Sequence, residues 1–173
     1  GGGWAVSPIA STSPGRYGSG EARIGEVRLL DLTGRPRAYF RRGQGLAIEV
    51  DYASKPGVEA VDCVVILENT AFGGALAMWR ALRDATPSRP RLGKGAFRLE
   101  VEDLPLLAGR YCLTIALHPA GDLFAEYDVL YKMVGFGFEA EIGWDTVAPL
   151  EFEPLALNER VARCEARPRE SAD

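Results

Sequence analysis

The stretch LPLLAGRYCLTIALH, residues 104–118, constrains the fold more than any other part of the chain. After Gly109, one side of an extended chain receives Tyr111, Leu113, Ile115 and Leu117. The other side receives Cys112, Thr114, Ala116 and His118. This alternation predicts a β-strand with one buried face. A tyrosine two residues after a turn glycine is typical of the tyrosine corner of immunoglobulin-like sandwiches, where the phenol oxygen bonds to upstream backbone.

Further segments with strand character follow one another at intervals of about ten residues, separated by turns rich in Gly and Pro. They are residues 21–31 with a bulge near Gly25, 38–40, 46–53, 61–69, 76–82, 95–102, 124–139 and 147–152. No convincing amphipathic helix precedes residue 154. The sequence therefore predicts an all-β protein, an immunoglobulin-like antiparallel β-sandwich of about 7–9 strands with Greek-key connections.

The domain organisation follows from shifts in composition. Residues 1–20 are expected to be a cloning remnant, Gly1–Gly3, and a linker rich in Ser, Pro and Gly. Residues 21–153 are expected to form the sandwich. Residues 154–173 are charged and are expected to be a tail, with room for one short helix.

Charge and cysteine content exclude several classes of protein. The net charge of −4 argues against a nucleic-acid partner and is equally unfavourable for binding to an anionic membrane. No two of Cys63, Cys112 and Cys164 form a CxxC pair, so the sequence does not predict a zinc ribbon. An odd number of cysteines without a pattern indicates a reducing cytoplasm. A disulfide between Cys63 and Cys112 stays open, since facing strands of a sandwich can bring two cysteines together.

Catalytic motifs are missing from the sequence. His118 is the single histidine, no serine lies in a GxSxG context, and the LGKG of residues 92–95 lacks the spacing of a phosphate-binding loop. Glu49 and Asp51 are i, i+2 neighbours on one strand and fit a solvated face better than an acid–base pair. The chain is predicted to be no enzyme and to use no cofactor or metal.

Aromatic and polar side chains on a sheet offer a different activity. A sugar ring stacks its C–H face on an aromatic ring while polar side chains bind its hydroxyls. If strands 61–69, 76–82, 109–118 and 127–138 form one sheet, its outward face carries the candidate carbohydrate-binding residues Trp79, Arg80, Thr114, His118 and Tyr127. Because Trp79 and Arg80 are adjacent on a strand, only one of the two can face outward.

Three segments together resemble a known family. They are RYGSGEARIGEVRLLDLTGRP (16–36), YFRRGQGLAIEVDY (39–52) and FRLEVEDLPLLAGRYCLTIALH (97–118), followed by FGFEA (136–140). Their order and spacing are similar to those of the C-terminal domain of the ATP-binding subunit of O-antigen polysaccharide ABC exporters. The resemblance covers roughly residues 15–140.

The resemblance implies a function and a set of partners. Such a domain recognises the lipid-linked O-antigen polysaccharide, often at a modified non-reducing end, at the cytoplasmic side of the inner membrane. It forms a homodimer, in some cases by exchange of a C-terminal strand, and reaches the transmembrane subunit through the full-length ATPase. No ligand-contacting residue can be transferred by motif, because those residues change with the glycan.

Two other interpretations stay open. The first is a sandwich that dimerises or docks a protein partner and binds no glycan. The second is a glycosidase, which needs two carboxylates about 5–9 Å apart across a cleft, and the sequence offers no such pair on different strands.

Overall fold

The computed structural model describes residues 15–71, 74–80 and 88–139, together with the backbone of residues 162–167. This part of the chain contains ten β-strands and no helix. The strands are β1 Arg16–Tyr17, β2 Ala22–Leu30, β3 Tyr39–Arg41, β4 Leu46–Ser54, β5 Val61–Asn69, β6 Ala75–Arg80, β7 Lys94–Val101, β8 Gly109–Pro119, β9 Asp128–Glu139 and β10 Ala162–Arg167. The all-β prediction is confirmed.

The strands form two sheets that pack face to face as an immunoglobulin-like sandwich. The six-stranded sheet has the order β1–β9–β8–β5–β6, and β3 pairs with the same edge of β9 farther along. The four-stranded sheet has the order β10–β7–β4–β2. All pairings are antiparallel except that of β3 with β9.

The core lies between the two sheets and is filled by the side chains of every second residue. On the six-stranded sheet these include Val61, Cys63, Val65, Leu67, Trp79, Leu113, Ile115, Leu117, Leu130, Val134 and Phe136. On the four-stranded sheet they include Ile24, Val27, Leu46, Ile48, Val50, Phe97, Leu99 and Val101. The alternation expected for residues 46–53 and 95–102 therefore has the predicted faces inside.

The tyrosine corner is present. Tyr111 is buried, and its hydroxyl donates a hydrogen bond of 2.7 Å to the carbonyl oxygen of Leu107. The bulge expected near Gly25 is also present, since the pairing of β2 with β4 shifts register between Ile24 and Val27. Both features were predicted from local sequence because each depends on residues close together in the chain.

A buried ion pair joins β1, β2 and β9. Arg16 Nη2 lies 2.6 Å from Asp128 Oδ2, Arg16 Nε donates to Asp128 Oδ1 at 3.0 Å, and both side chains are almost fully buried. At the open edge of β2 the Ile24 amide donates to Asp128 Oδ2, and the Ile24 carbonyl accepts from Arg16 Nη2. The pair thus ties the first strand of the chain to both sheets.

Several expectations need correction. Residues 38–40 do not continue the strand before them, because β3 crosses to the other sheet and pairs with β9. Both faces of β8 are buried, since it is an inner strand of its sheet. Arg16 and Tyr17 belong to the sandwich rather than to a linker, and residues 162–167 form a strand where a helix was expected. The expected strand at 147–152 lies outside the described residues.

The positions of Cys63 and Cys112 decide whether the two residues form a disulfide. Cys63 faces the core, Cys112 faces the opposite side of the same sheet, and neither takes part in a disulfide bond. The disulfide that stayed open between them is therefore not formed.

The ion pair yields a prediction for stability. Substitution Arg16→Ala leaves the Asp128 carboxylate buried without its cation, which is expected to lower the free energy of unfolding by about 3–5 kcal/mol. Urea denaturation measures this difference. The matched control is Arg41→Ala, because the Arg41–Glu139 pair is largely exposed and such a pair contributes about 0–1 kcal/mol. Equal losses in the two variants would contradict the role assigned to Arg16.

Candidate functional site

The outward face of the six-stranded sheet is where the sequence placed the candidate site. The four strands expected to form one sheet do so, in the order β9–β8–β5–β6. The outward residues of β8 are Cys112, Thr114, Ala116 and His118, and all four are buried. Three of these side chains are short, so the accessible surface of this face is formed by longer side chains of the flanking strands.

Trp79 and Arg80 lie on opposite sides of β6. Trp79 pairs with the inward residue Val65, is 3% exposed and belongs to the core. It lines a small cavity of about 10 Å³ between the sheets, and its indole nitrogen has no hydrogen-bond acceptor among the described residues. Arg80 takes the outward position. The proposed outward role of Trp79 is therefore incompatible with its place in the fold.

Arg80 and His118 both make polar contacts at one end of the outward face. Arg80 Nη2 lies 2.8 Å from Asp62 Oδ2, and the Asp62 side chain is fully buried. His118 pairs with Asp62 across the strands. His118 Nδ1 lies 2.8 Å from the Ala125 carbonyl oxygen, so this nitrogen must carry the proton and donate. His118 thus holds the loop between β8 and β9.

Tyr127 lies apart from the outward face. It is partly buried against the core, and burial together with the nearby Glu21 carboxylate raises the pKa of its phenol. Its backbone amide bonds to the Leu117 carbonyl oxygen. The backbone of Tyr127 therefore adjoins the end of β8 near His118, while its side chain packs against the core.

Thr114 shapes the backbone of β9. The pairing of β8 with β9 shifts register so that residues 131–133 oppose Thr114 alone. Thr114 Oγ1 accepts a hydrogen bond of 3.0 Å from the Lys132 amide, and Lys132 has a φ of 53°, which is unusual for a residue other than glycine. This bulge turns both Tyr131 and Lys132 to the outward face.

Lys132 connects three strands of that face. Its ammonium lies 5.1 Å from the centre of the Tyr131 ring and 3.8 Å from Glu68 Oε1 on β5. Contact with the Tyr131 hydroxyl and attraction by Glu68 raise the pKa of Lys132, so it stays charged at neutral pH. The cluster combines an aromatic ring, a donor and an acceptor.

Three half-exposed tyrosines follow the outward side of β9, and sequence reasoning missed them as a group. Tyr17 pairs with the outward residue Val129, Tyr131 lies in the bulge, and Tyr39 pairs with Gly137. Their exposures are 50%, 49% and 57%. We call Tyr17, Tyr131 and Tyr39 the tyrosine row.

The tyrosine row runs along a shallow floor. Val129 and Gly137 pair with Ala116 and Arg110, which are six positions apart on β8, so the row spans about 20 Å, enough for several sugar units. Gly135 and Gly137 also point outward between the rings, and a side chain at Gly137 would collide with the Tyr39 ring at 2.5 Å. The absence of side chains there lets the Tyr39 ring lie flat over the strand.

Catalytic and metal-binding alternatives find little in the described residues. No group of three or more His, Cys, Asp or Glu side chains there could hold a metal ion. Glu49 and Asp51 both pair with Arg28, at 2.9 and 3.1 Å. Burial acts to raise the pKa of Glu49, but hydrogen bonds from Arg28 and Arg98 lower it overall, which does not suit a general acid.

The part of the chain described by the structure contains no helix long and apolar enough to cross a membrane. The described residues form an immunoglobulin-like sandwich with half-exposed aromatic rings on its outward face. Residues 13–141 match the family model of the Wzt C-terminal domain. The chain belongs to this family, whose domains are part of the ATPase of O-antigen ABC exporters.

A solved structure agrees with this assignment. The chain is similar to the crystal structure titled as that of the C-terminal domain of Wzt, with a TM-score of 0.63 and 16% sequence identity. The alignment covers 78% of this chain and 86% of the other. At this identity the likeness shows the fold. No curated protein sequence matches the chain.

The contact of Thr114 with β9 yields a prediction. Substitution Thr114→Val keeps the shape of the side chain but removes the acceptor of the Lys132 amide. The free energy of unfolding should therefore fall by about 1–2 kcal/mol. NMR should also show broadened or shifted Tyr131 ring signals. Thr114→Ser keeps the hydroxyl and is the control. Unchanged ring signals in Thr114→Val would show that the bulge does not depend on this bond.

Proposed function

We propose that this chain is a non-catalytic carbohydrate-binding domain. It recognises a lipid-linked O-antigen polysaccharide, at its non-reducing end, and selects it for export by an ABC transporter across the inner membrane. The observation that carries the proposal is the tyrosine row, which places three half-exposed rings along one strand. Exposed aromatic patches of this kind mark binding sites.

The chemistry of the row suits a sugar chain. Each phenol ring offers a flat apolar surface for the C–H face of a pyranose and a hydroxyl that can donate or accept. Lys132 and Glu68 add a donor and an acceptor beside Tyr131. The three rings lie one after another along β9, so one polymer chain can contact more than one of them.

The charges of the outward face favour an uncharged part of the polymer. Most cations of this face are paired with carboxylates: Lys132 with Glu68, Arg80 with Asp62 and Arg41 with Glu139. A ligand bound by stacking and neutral hydrogen bonds should lose little affinity when salt is added.

Family membership supports the wider context of the proposal. The full-length protein would carry an ATPase domain upstream of this chain, and it would lie at the cytoplasmic side of the inner membrane in contact with a transmembrane subunit. This domain itself would perform no catalysis. Its partners would be the O-antigen polysaccharide and a second copy of the chain.

The homodimer is supported by the place of β10. Ala162–Arg167 pairs with β7 at the edge of the four-stranded sheet, where a strand can equally be supplied by a second chain. We propose that such pairing joins two copies.

Glycan binding tests the function directly. Titration calorimetry with the polysaccharide of the source strain should show binding to the native chain, and Tyr131→Ala should weaken it about tenfold, since one stacked ring contributes about 1–1.5 kcal/mol. Phe124→Ala is the control, because Phe124 is a fully exposed ring on the loop before β9 and is not part of the row. Melting temperatures should stay close to native in both variants.

The outcomes separate the two candidate functions. Binding of the cognate polymer but not of a foreign one supports glycan selection. A folded dimer that binds no polymer at millimolar concentration of chain ends would instead support an interaction module without glycan recognition. Binding that Tyr131→Ala leaves unchanged would place the glycan elsewhere on the domain.

The dimer has its own test. Analytical ultracentrifugation of the native chain should give the mass of two chains, and a chain ending at residue 139 should sediment as a monomer. A shortened chain that still dimerises would show that β10 does not join the copies.

A further inference from the structure

The two residues other than glycine with positive φ lie in different parts of the described structure. Lys132 lies beside Tyr131 of the tyrosine row. Leu92, with φ of 49°, lies in the turn before β7 and is 94% exposed. A bulky residue in this conformation is a true outlier, and such outliers concentrate at functional sites.

The turn that holds Leu92 is a tight hairpin. The Arg91 amide donates to the Lys94 carbonyl oxygen at 2.8 Å, and the Lys94 amide donates back to Arg91 at 3.0 Å. The two residues between them, Leu92 and Gly93, both have positive φ, which defines a type I′ turn. Such turns favour Asn-Gly or Gly-Gly, so leucine is not the residue that the backbone prefers here.

The turn is also held firmly against the sandwich. The Gly93 carbonyl oxygen accepts a hydrogen bond of 2.8 Å from the Ser54 amide at the end of β4. A side chain at Gly93 would collide with the Ser54 carbonyl oxygen at 2.9 Å. The backbone therefore presents Leu92 as a rigid apolar knob.

Cations surround this knob although the whole chain is acidic. Arg89, Arg91 and Lys94 flank Leu92 in sequence, and Lys55 directly follows Ser54. All four are exposed, and none forms an ion pair with another described residue. We call Leu92 with these four cations the Leu92 tip.

Acidic residues also lie at this end of the sandwich, but outside the hairpin. Glu59 lies in the loop after Lys55, and the Glu21 carboxylate accepts a hydrogen bond from Ser19. Phe124, on the neighbouring loop, lies between Asp122 and Glu126 and is not counted as part of the tip. Positive charge is thus concentrated on the hairpin itself.

We propose that the Leu92 tip is a docking site for an anionic phospholipid surface. The cations would contact lipid phosphates, and the leucine side chain would enter the boundary between headgroups and acyl chains. A protein partner fits less well, because a stable interface needs about 800 Å² from each partner around an apolar centre, whereas the tip offers one leucine. The net charge of the chain hid this site from sequence reasoning.

Vesicle binding tests the proposal with the full chain. The native chain should sediment with vesicles of phosphatidylglycerol and phosphatidylcholine, but not with vesicles of phosphatidylcholine alone. The double variant Arg91→Glu/Lys94→Glu should lower the partition coefficient at least about tenfold. Each basic residue near an anionic surface strengthens binding to it severalfold, and the two substitutions remove two such residues. Arg42→Glu/Arg110→Glu makes the same charge change at the opposite end of the sandwich and should bind like the native chain.

Leu92→Asn tests the knob itself. Asparagine tolerates positive φ, so the melting temperature should not fall, while vesicle binding should weaken about three- to tenfold. Absence of binding to the anionic vesicles, binding that all variants share, or binding that Leu92→Asn leaves intact would each overturn the proposal. Loss of binding to polyglutamate in the charge variant, with no vesicle binding by the native chain, would assign the tip to an acidic protein instead.

Discussion

The ion pair between Arg16 and Asp128 is the contact on which the outward face depends. Residues alternate along a strand, so burying Arg16 between the sheets forces Tyr17 to the other side. The bond from the Ile24 amide to the same carboxylate uses a donor at the open edge of β2, which pairs with β4 alone. One buried carboxylate therefore satisfies an arginine and a backbone amide, joins the two sheets and places the first ring of the tyrosine row.

The remaining rings depend on irregularities of β9. A regular strand would turn Tyr131 and Lys132 to opposite faces, but the bulge held by Thr114 puts both on the outward side. Tyr39 reaches this face because β3 leaves its predicted sheet and runs parallel to β9. The proposed binding surface is thus built from the places where the strand pattern breaks, and the regular parts of β5 and β8 lie beneath it.

This division explains how far sequence reasoning reached. Alternation found β4, β7 and β8 with the correct inward faces, and the spacing around Gly109 found the tyrosine corner, because these features are local. The pairing of β1 and β3 with β9 joins residues that are far apart in the chain, so Tyr17 was assigned to a linker and Tyr39 to a short continuation. Trp79 was offered as a ligand contact because a strand alone does not reveal which of its faces is inside. The register with Val65 decides that.

Backbone strain, seen as positive φ at residues other than glycine, gives information that the alternation of apolar residues does not. At Lys132 the surrounding structure supplies a reason for the positive φ, since the Thr114 hydroxyl takes the amide that the bulge removes from the ladder. At Leu92 no side chain of the described residues stabilises the positive φ in this way. Asparagine or glycine would suit the turn better than leucine. An exposed leucine in that position lowers stability and solubility alike, so its presence is best explained by a contact that the isolated chain does not contain.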